Sequence, residues 1–416
     1  MKVKSIQLLK HNRFDIPAKH LYARYRDAGY DTSFGEDVYK SHLDVWNGFN
    51  EIDNSNKNTY QSFKSTFDNI LDSISSDGFD SSKGTLPVYE NFLINGSHRL
   101  TASILYNKEV ETHEASENEG QLDCSSSMFA SKGLSTFNLD AMATEYARLV
   151  PNTLVVTLFP SATHDSNKVQ AAVELLNKTS DVVYVKSFDW KNNAPLNLIR
   201  QIYLGEEWGL GWPQNFSGFA YKAKLCFTTT APVLSFLIVP NESVDMVQLK
   251  ESIRNIFGIG KHSCHINDTH EETMRIARLY YNENSIHHMN NARHVHYNSF
   301  QCMFDYYRNY LRDNNLDPEN YCVTASSVLS LYGLREGEDL DYLHRDLGVH
   351  GHYMIHSHNE ELSKYTMGKD EILFNPKNHF WYDGVKVASL GVIRELKEKR
   401  NEPKDVADIQ LIREVL

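Results

Sequence analysis

Residues Thr153–Phe159 form an apolar and β-branched run, TLVVTLF. A turn follows at Pro160-Ser161-Ala162-Thr163-His164, then a helix-like segment from Lys168 to Lys178, then a second apolar run, Val182-Val183-Tyr184-Val185. A strand that is apolar at nearly every position has no wet face and must be covered on both sides. Strand, helix and strand at these lengths predict a parallel βαβ unit, which commits this part of the chain to a layered α/β architecture. Ligands of such units collect at the carboxyl ends of the strands, where Ser161, Thr163 and His164 are expected. Neither a GxGxxG nor a Walker sequence is present.

The flanking sequence reads as separate units. With 416 residues the chain has room for two or three domains. Residues 13–51 are expected to be helical and Asp53–Thr59 a loop. A helix carrying Phe63, Phe67, Leu71 and Ile74 then ends at Gly78. Leu86–Val88 and Phe92–Ile94 read as strands, and the acidic Glu109–Cys124 as a linker or flap. A helix covers Ala141–Leu149. Lys222–Phe227 and Leu234–Val239 read as strand-like, and Val247–Phe257 and Glu271–Asn282 as helices. Lys386–Lys399 reads as a helix too, with a last helix starting at Pro403. The expected class is a multidomain α/β and α+β chain, with units at 1–122, 140–290 and 291–416.

Charge and cysteine usage narrow the partners. A net charge of −12 removes any whole-protein footprint for nucleic acid, although Lys2, Lys4, Lys10, Arg13, Lys19, Arg24 and Arg26 form a local basic series. Five scattered Cys with no CxxC pair argue for a reducing compartment and against a disulfide framework or zinc ribbon. No run approaches the ~18 apolar residues of a membrane span, and the first residues lack a signal-peptide core. The expectation is a soluble, cytoplasmic protein, in the host cytoplasm if phage-encoded.

The stretch richest in chemistry is Tyr321–His344, YCVTASSVLSLYGLREGEDLDYLH. A short apolar run ends at Ser326-Ser327, a helix-like segment follows, and an alternating run carries Asp339, Leu340, Asp341 and Tyr342. Residues i and i+2 of a strand share a face, so the two carboxylates project together while Leu340 and Tyr342 enter a core. Adjacent carboxylates repel unless a cation lies between them, and hard oxygen ligands suit Mg²⁺ or Mn²⁺ carrying a phosphorylated substrate. A plainer reading has Ser capping a helix and the strand showing a wet acidic face. Ser-Ser, helix, then Asp-x-Asp resembles the DNA-polymerase-β-type nucleotidyltransferase superfamily over Asp317–Leu416. The resemblance implies that Ser326 and Ser327 contact phosphates, Asp339 and Asp341 hold the metal, and Asp383, in HFWYDGVKVASL, supplies a third carboxylate. Arg335 and Lys386 are the cations expected to meet the phosphates. Ala325 stands where the superfamily has Gly, and a Cβ there limits how closely a triphosphate can approach.

Two further clusters are candidate contacts. In INGSHRLTASILY, a strand leads to Asn95-Gly96-Ser97-His98-Arg99 and a helix start, a plausible anion cradle. The sequence resembles the [D/N]-G-x-H-R turn of the ParB/sulfiredoxin fold, some members of which bind or hydrolyse nucleotides. Packing and a surface ion pair account equally for these residues. Lys261, His265, Asn267 and Asp268 form a dense polar set ahead of a helix. They read either as a substrate pocket or, with Thr269 and Glu272, as a capping box. Trp208 and Trp212 in a Gly-rich loop are a stacking wall or a core plug. The pairs His294/His296, His350/His352 and His356/His358 are mostly surface candidates, with HGHYMIHSH the one nearest the acidic strand.

Together these features favour a metal-dependent transferase using a nucleotide-activated donor, with nucleotidyl or phosphoryl transfer first. Glycosyl transfer from a nucleotide-sugar uses the same metal clamp. Its acceptor would be a glycan, a small molecule or modified phage DNA, since the layout also resembles proteins encoded beside sugar-polymer genes and in phages. A non-catalytic, nucleotide-sensing or DNA-binding ParB-like module is the reading from a different class.

Overall fold

The computed structural model describes residues 1–416 except 52–56, 117–121 and 192. The core of the expected loop at 53–59 and part of the expected flap at 109–124 therefore fall outside the described residues. The chain is mixed α/β, with three sheets among the described residues.

The first sheet contains β1 (Lys2–Lys4), β2 (Leu86–Tyr89), β3 (Phe92–Leu93) and β4 (Glu109–Glu114), in the order β1-β4-β2-β3. Helices Asp15–Asp27, Ser33–Asn47 and Tyr60–Asp77 separate β1 from β2, so the helical run expected over 13–51 is interrupted, with Gly29 at φ 64°. Helix Ser97–Leu105 joins β3 to β4. The first six residues of the expected linker are strand β4, whose buried positions are Val110 and Thr112. One apolar residue in six gives too weak an alternation to read as a strand.

The second sheet contains β5 (Leu154–Leu158), β6 (Ser180–Phe188), β7 (Val233–Pro240) and β8 (Cys264–Ile266), in the order β6-β7-β5-β8 with every neighbour antiparallel. β5 and β6 point the same way, as expected, but β7 lies between them. The unit is a split β-α-β rather than an adjacent parallel pair. A strand–helix–strand segment sets direction without setting adjacency, and β7, largely buried, takes a central place. Helices Ser166–Thr179 and Met246–Phe257 cover one face through Leu176, Leu249, Ile253 and Phe257. Val155, Tyr184 and Leu237 belong to the larger core, which includes residues of helices Thr136–Leu149 and His270–Tyr280. The strand expected at Lys222–Phe227 is instead the end of helix Ser217–Cys226.

The third sheet runs β11-β10-β9-β13-β12, with β9 (Tyr321–Thr324), β10 (Leu340–His344), β11 (Ile355–Ser357), β12 (His379–Tyr382) and β13 (Val385–Ala388). β12 and β13 form a hairpin through Asp383-Gly384, both at positive φ. The helix expected from Lys386 is strand β13 followed by helix Leu390–Arg400.

One hydrophobic cluster spans all three sheets, from Leu8 to Ile412. A buried ionic network joins the same parts. Glu145 meets His20, Arg24 and Arg148, and Glu319 meets Arg24, Arg148 and Arg278. This network and other ion pairs use up much of the basic series expected to face nucleic acid. Arg13 and Lys19 are buried on Asp15, Arg24 is bound to Glu145 and Glu319, and Arg26 faces Asp68 and Asp72. No helix among the described residues is long and apolar enough to cross a membrane.

Candidate functional site

β9 ends at Thr324 and the chain reverses at Ala325, whose φ of 52° and ψ of −136° lie outside the regions open to L-residues. Helix Ser326–Leu331 follows, and β10 returns antiparallel with Asp341 opposite Thr324. Ser327 is buried. Its hydroxyl accepts the Asp341 N–H at 3.0 Å and donates to the Asp339 carbonyl at 3.4 Å. Ser327 thus clamps the backbone of the acidic pair, so its hydroxyl is not free for a phosphate; Ser326 remains half-exposed.

Asp339 is half-buried, just ahead of β10, and Asp341 is 8% exposed within it. Burial, then the Asp339 charge, pushes the Asp341 carboxyl up to about 7, against the pull of Arg400, Lys397 and Lys404. Asp341 Oδ2 lies 3.5 Å from His358 Nε2. Burial holds that imidazole below its usual range, so a carboxyl raised and an imidazole lowered make this a polar contact and not a strong ion pair. The Nδ1 of His358 lies 2.9 Å from the Tyr365 hydroxyl, itself 2.9 Å from Thr324 Oγ1.

The nearby cations are already occupied. Arg335 forks onto Asp408 at 2.5 and 2.7 Å. Lys397 bridges Asp405 and Asp408, and Arg400 clamps Asp405. Arg335, expected at a donor's phosphates, is thus committed to the last helix, Pro403–Arg413.

The structure does not bring Asp383 or Lys386 to this pair. β13 runs parallel to β9 with Val387 beside Val323, which puts Asp383, four residues earlier, beyond the opposite end of the sheet from Asp341. There Asp383 accepts from the Gln201 amide at 2.5 Å and faces Arg308 at 3.4 Å. Lys386 is buried, donates to the carbonyls of Glu319 and Leu373, and is pushed down to about 8 by burial.

At the N-terminal turn, Gly96 has φ 88° and lies so close to Leu86 that a Cβ would sit 2.5 Å from Leu86 Cδ2. Asn95 Oδ1 accepts the Gly96 N–H, and Ser97 opens the helix. His98 contacts the Tyr39 hydroxyl at 2.9 Å and packs on Phe67. Arg99 lies over Phe79 and donates to the Asp80 carbonyl. The expected strand–turn–helix is present, with His98 and Arg99 engaged in packing.

In the central unit, Lys261, His265 and Asp268 line a cavity of about 520 Å³. Asn267 does not: it is buried, accepts the Val155 N–H at 2.7 Å and donates to Thr269 and Thr273. The Thr269/Glu272 capping box is also formed. Lys222, Lys250 and Arg254 line the cavity as well. The helical spacing of Lys250 and Arg254 marks an outward face, and sequence alone could not show that this face borders a cavity. Trp208 lines the same cavity, whereas Trp212 stacks on His296. The Ser161 and Thr163 hydroxyls donate to backbone carbonyls. No group of three or more His, Cys, Asp or Glu converges as a metal site among the described residues.

Comparison with models of protein families, with curated proteins and with solved structures finds no match.

Proposed function

We propose that the chain is a metal-dependent transferase whose C-terminal unit uses Asp339 and Asp341 to hold Mg²⁺ or Mn²⁺ against the phosphates of a nucleotide-activated donor. One observation carries this reading. Eight carboxylates are buried among the described residues: Asp15, Asp140, Glu145, Glu319, Asp341, Asp383, Asp405 and Asp408. Seven have an Arg or Lys nitrogen within ion-pair distance, and Asp341 does not. The charge that acts most on it is instead another acid, Asp339, two residues earlier. A divalent ion supplies the missing countercharge. Two carboxylates fit Mg²⁺, which keeps several waters and takes further oxygens from substrate phosphates.

In this reading Ser327 fixes the spacing of the two carboxylates through the backbone, and His358 orients the inner one. When bound, the metal neutralises charge building on the leaving phosphate. The resemblance to polymerase-β-type nucleotidyltransferases supports the same reading. The departure at Asp383 leaves a two-carboxylate clamp, the arrangement shared by nucleotidyl and nucleotide-sugar glycosyl transfer.

The test is incubation with nucleoside triphosphates and nucleotide-sugars, with Mg²⁺ or with EDTA, read by mass spectrometry. Donor consumption is expected only with metal and is expected to vanish in Asp339→Asn/Asp341→Asn protein. Turnover that survives the double substitution overturns the assignment.

A further inference from the structure

The central cavity is separate from the acidic pair and has a chemistry of its own. Its volume of about 520 Å³ lies in the range that encloses a small organic ligand. Lys222, Lys250, Arg254 and Lys261 line it against three acids, Glu206, Asp268 and Glu272. Asp268 is taken by Lys250, and Glu272 is held by its helix cap and by Arg275. Arg254 reaches Glu251 with one terminal nitrogen, while its buried Nε has no hydrogen-bond partner. Lys261 is exposed and forms no ion pair among the described residues. Lys222 donates to the Lys261 carbonyl and lies within cation–π reach of Tyr203.

Two further buried nitrogens at this cavity, Nε2 of His265 and Nδ1 of His262, also lack partners. Each such orphan is costly to bury unless something completes it. Arg254 Nε is a donor that a ligand oxygen would complete, and each imidazole nitrogen takes a donor or an acceptor according to its tautomer. The aromatic part is equally definite: Tyr203 stands edge-on to both His265 (4.8 Å) and Trp208 (5.1 Å), and Trp208 is 41% exposed.

We propose that this cavity is a second ligand site, for a nucleotide, with phosphates at Arg254 and Lys261 and the base against Tyr203 and Trp208. Burial, reinforced by Lys261 and Arg254, lowers the Lys222 ammonium, so an arriving anion gains by restoring it. Burial and the neighbouring Lys250 and Lys222 hold His265 down at about 3, so its ring is neutral at pH 7 and hydrogen-bonds without adding charge.

Isothermal titration in EDTA with the four nucleoside diphosphates in turn, with pyrophosphate and with adenosine tests the site. At least one nucleoside diphosphate is expected to bind, with pyrophosphate and adenosine each at least ~10-fold weaker. Lys261→Met, an exposed position whose change leaves the fold intact, is expected to weaken binding about 10-fold, and Arg254→Met at least as much. Asp339→Asn/Asp341→Asn protein is expected to bind as the native chain does, which separates this site from the C-terminal centre. The assignment is overturned by the absence of nucleotide binding at millimolar concentration. It is equally overturned by pyrophosphate binding as tightly as the nucleotides, by affinity unmoved in Lys261→Met, or by binding that requires the two aspartates.

Discussion

Replacing Asp341 with Asn is expected to stabilise the protein in the absence of divalent ions, and the pH dependence of that gain is specific. The folded chain moves the Asp341 carboxyl from an ordinary 3.8 to about 7. Below about 4 the group is protonated whether folded or unfolded and costs nothing. Between about 4 and 7 the unfolded chain releases the proton and the folded chain keeps it, so stability falls as pH rises. Above about 7 the full penalty is present. A shift of about 3 units has a ceiling near 4 kcal/mol, and relaxation around the charge reduces this to roughly 2–3 kcal/mol. For 416 residues, melting entropies of about 2 cal/mol/K per residue turn that into ~2–4 °C of melting temperature.

Thermal melts of the native and Asp341→Asn proteins in EDTA, from pH 5 to pH 8.5, read the effect. The difference should widen with pH up to about 7 and then level off. Adding Mg²⁺ should raise the melting temperature of the native protein and leave the variant close to where it was, because only the native pair offers the ion two carboxylates. An Asn variant no more stable than the native protein at pH 8, or a gap indifferent to pH, would refute the reasoning.

Two other substitutions probe the turn beside the pair and the central ionic network. Ala325→Gly removes a Cβ from a backbone conformation that costs an L-residue on the order of 1–3 kcal/mol. Glycine's extra freedom in the unfolded chain returns about 0.5–1 kcal/mol of that, so a net gain near 1 kcal/mol is expected in urea unfolding. Glu319→Gln leaves Arg24, Arg148 and Arg278 facing a neutral amide. A loss of roughly 3–5 kcal/mol is expected, read as a lower urea midpoint.

The sequence carries much of this architecture, and its failures have physical causes. β5, β7, β9 and β10 are apolar enough to announce themselves, and Leu340 and Tyr342 are buried as expected, but Asp341 and Leu343 on the other face are buried as well, so β10 has no wet face. β4 is hidden because its second buried residue is a threonine. The hairpin β12–β13 is legible in principle, since Asp-Gly between apolar runs is the strongest short signal for a two-residue turn. Reading Asp383 as a ligand overlooks that turn, and the hairpin then carries the residue to the far end of the sheet. Lys386 and Arg335 show a second limit: a cation's sequence position says nothing about which carbonyl or carboxylate it meets after folding.

The contrast among the buried acids separates scaffold from site. Glu145 and Glu319 lie where the three sheet-bearing parts meet, each facing several cations, and both carboxyls are held below their usual range. An arrangement of that sign strengthens the folded state near neutral pH. Asp140 is raised to about 6 by burial, yet Lys186 and the Tyr184 hydroxyl meet it directly. Asp341 combines burial, a like-charged neighbour and no cationic partner, so the folded chain retains an unfavourable charge at the start of β10. A cost of that kind is the physical mark of a candidate ligand site, and it is the ground of the proposal. The strained Ala325 turn and the Ser327 hydroxyl, which holds the backbone of both acids, add to the case for proposing the chemistry at this corner of the third sheet and not at the more heavily charged network at the centre.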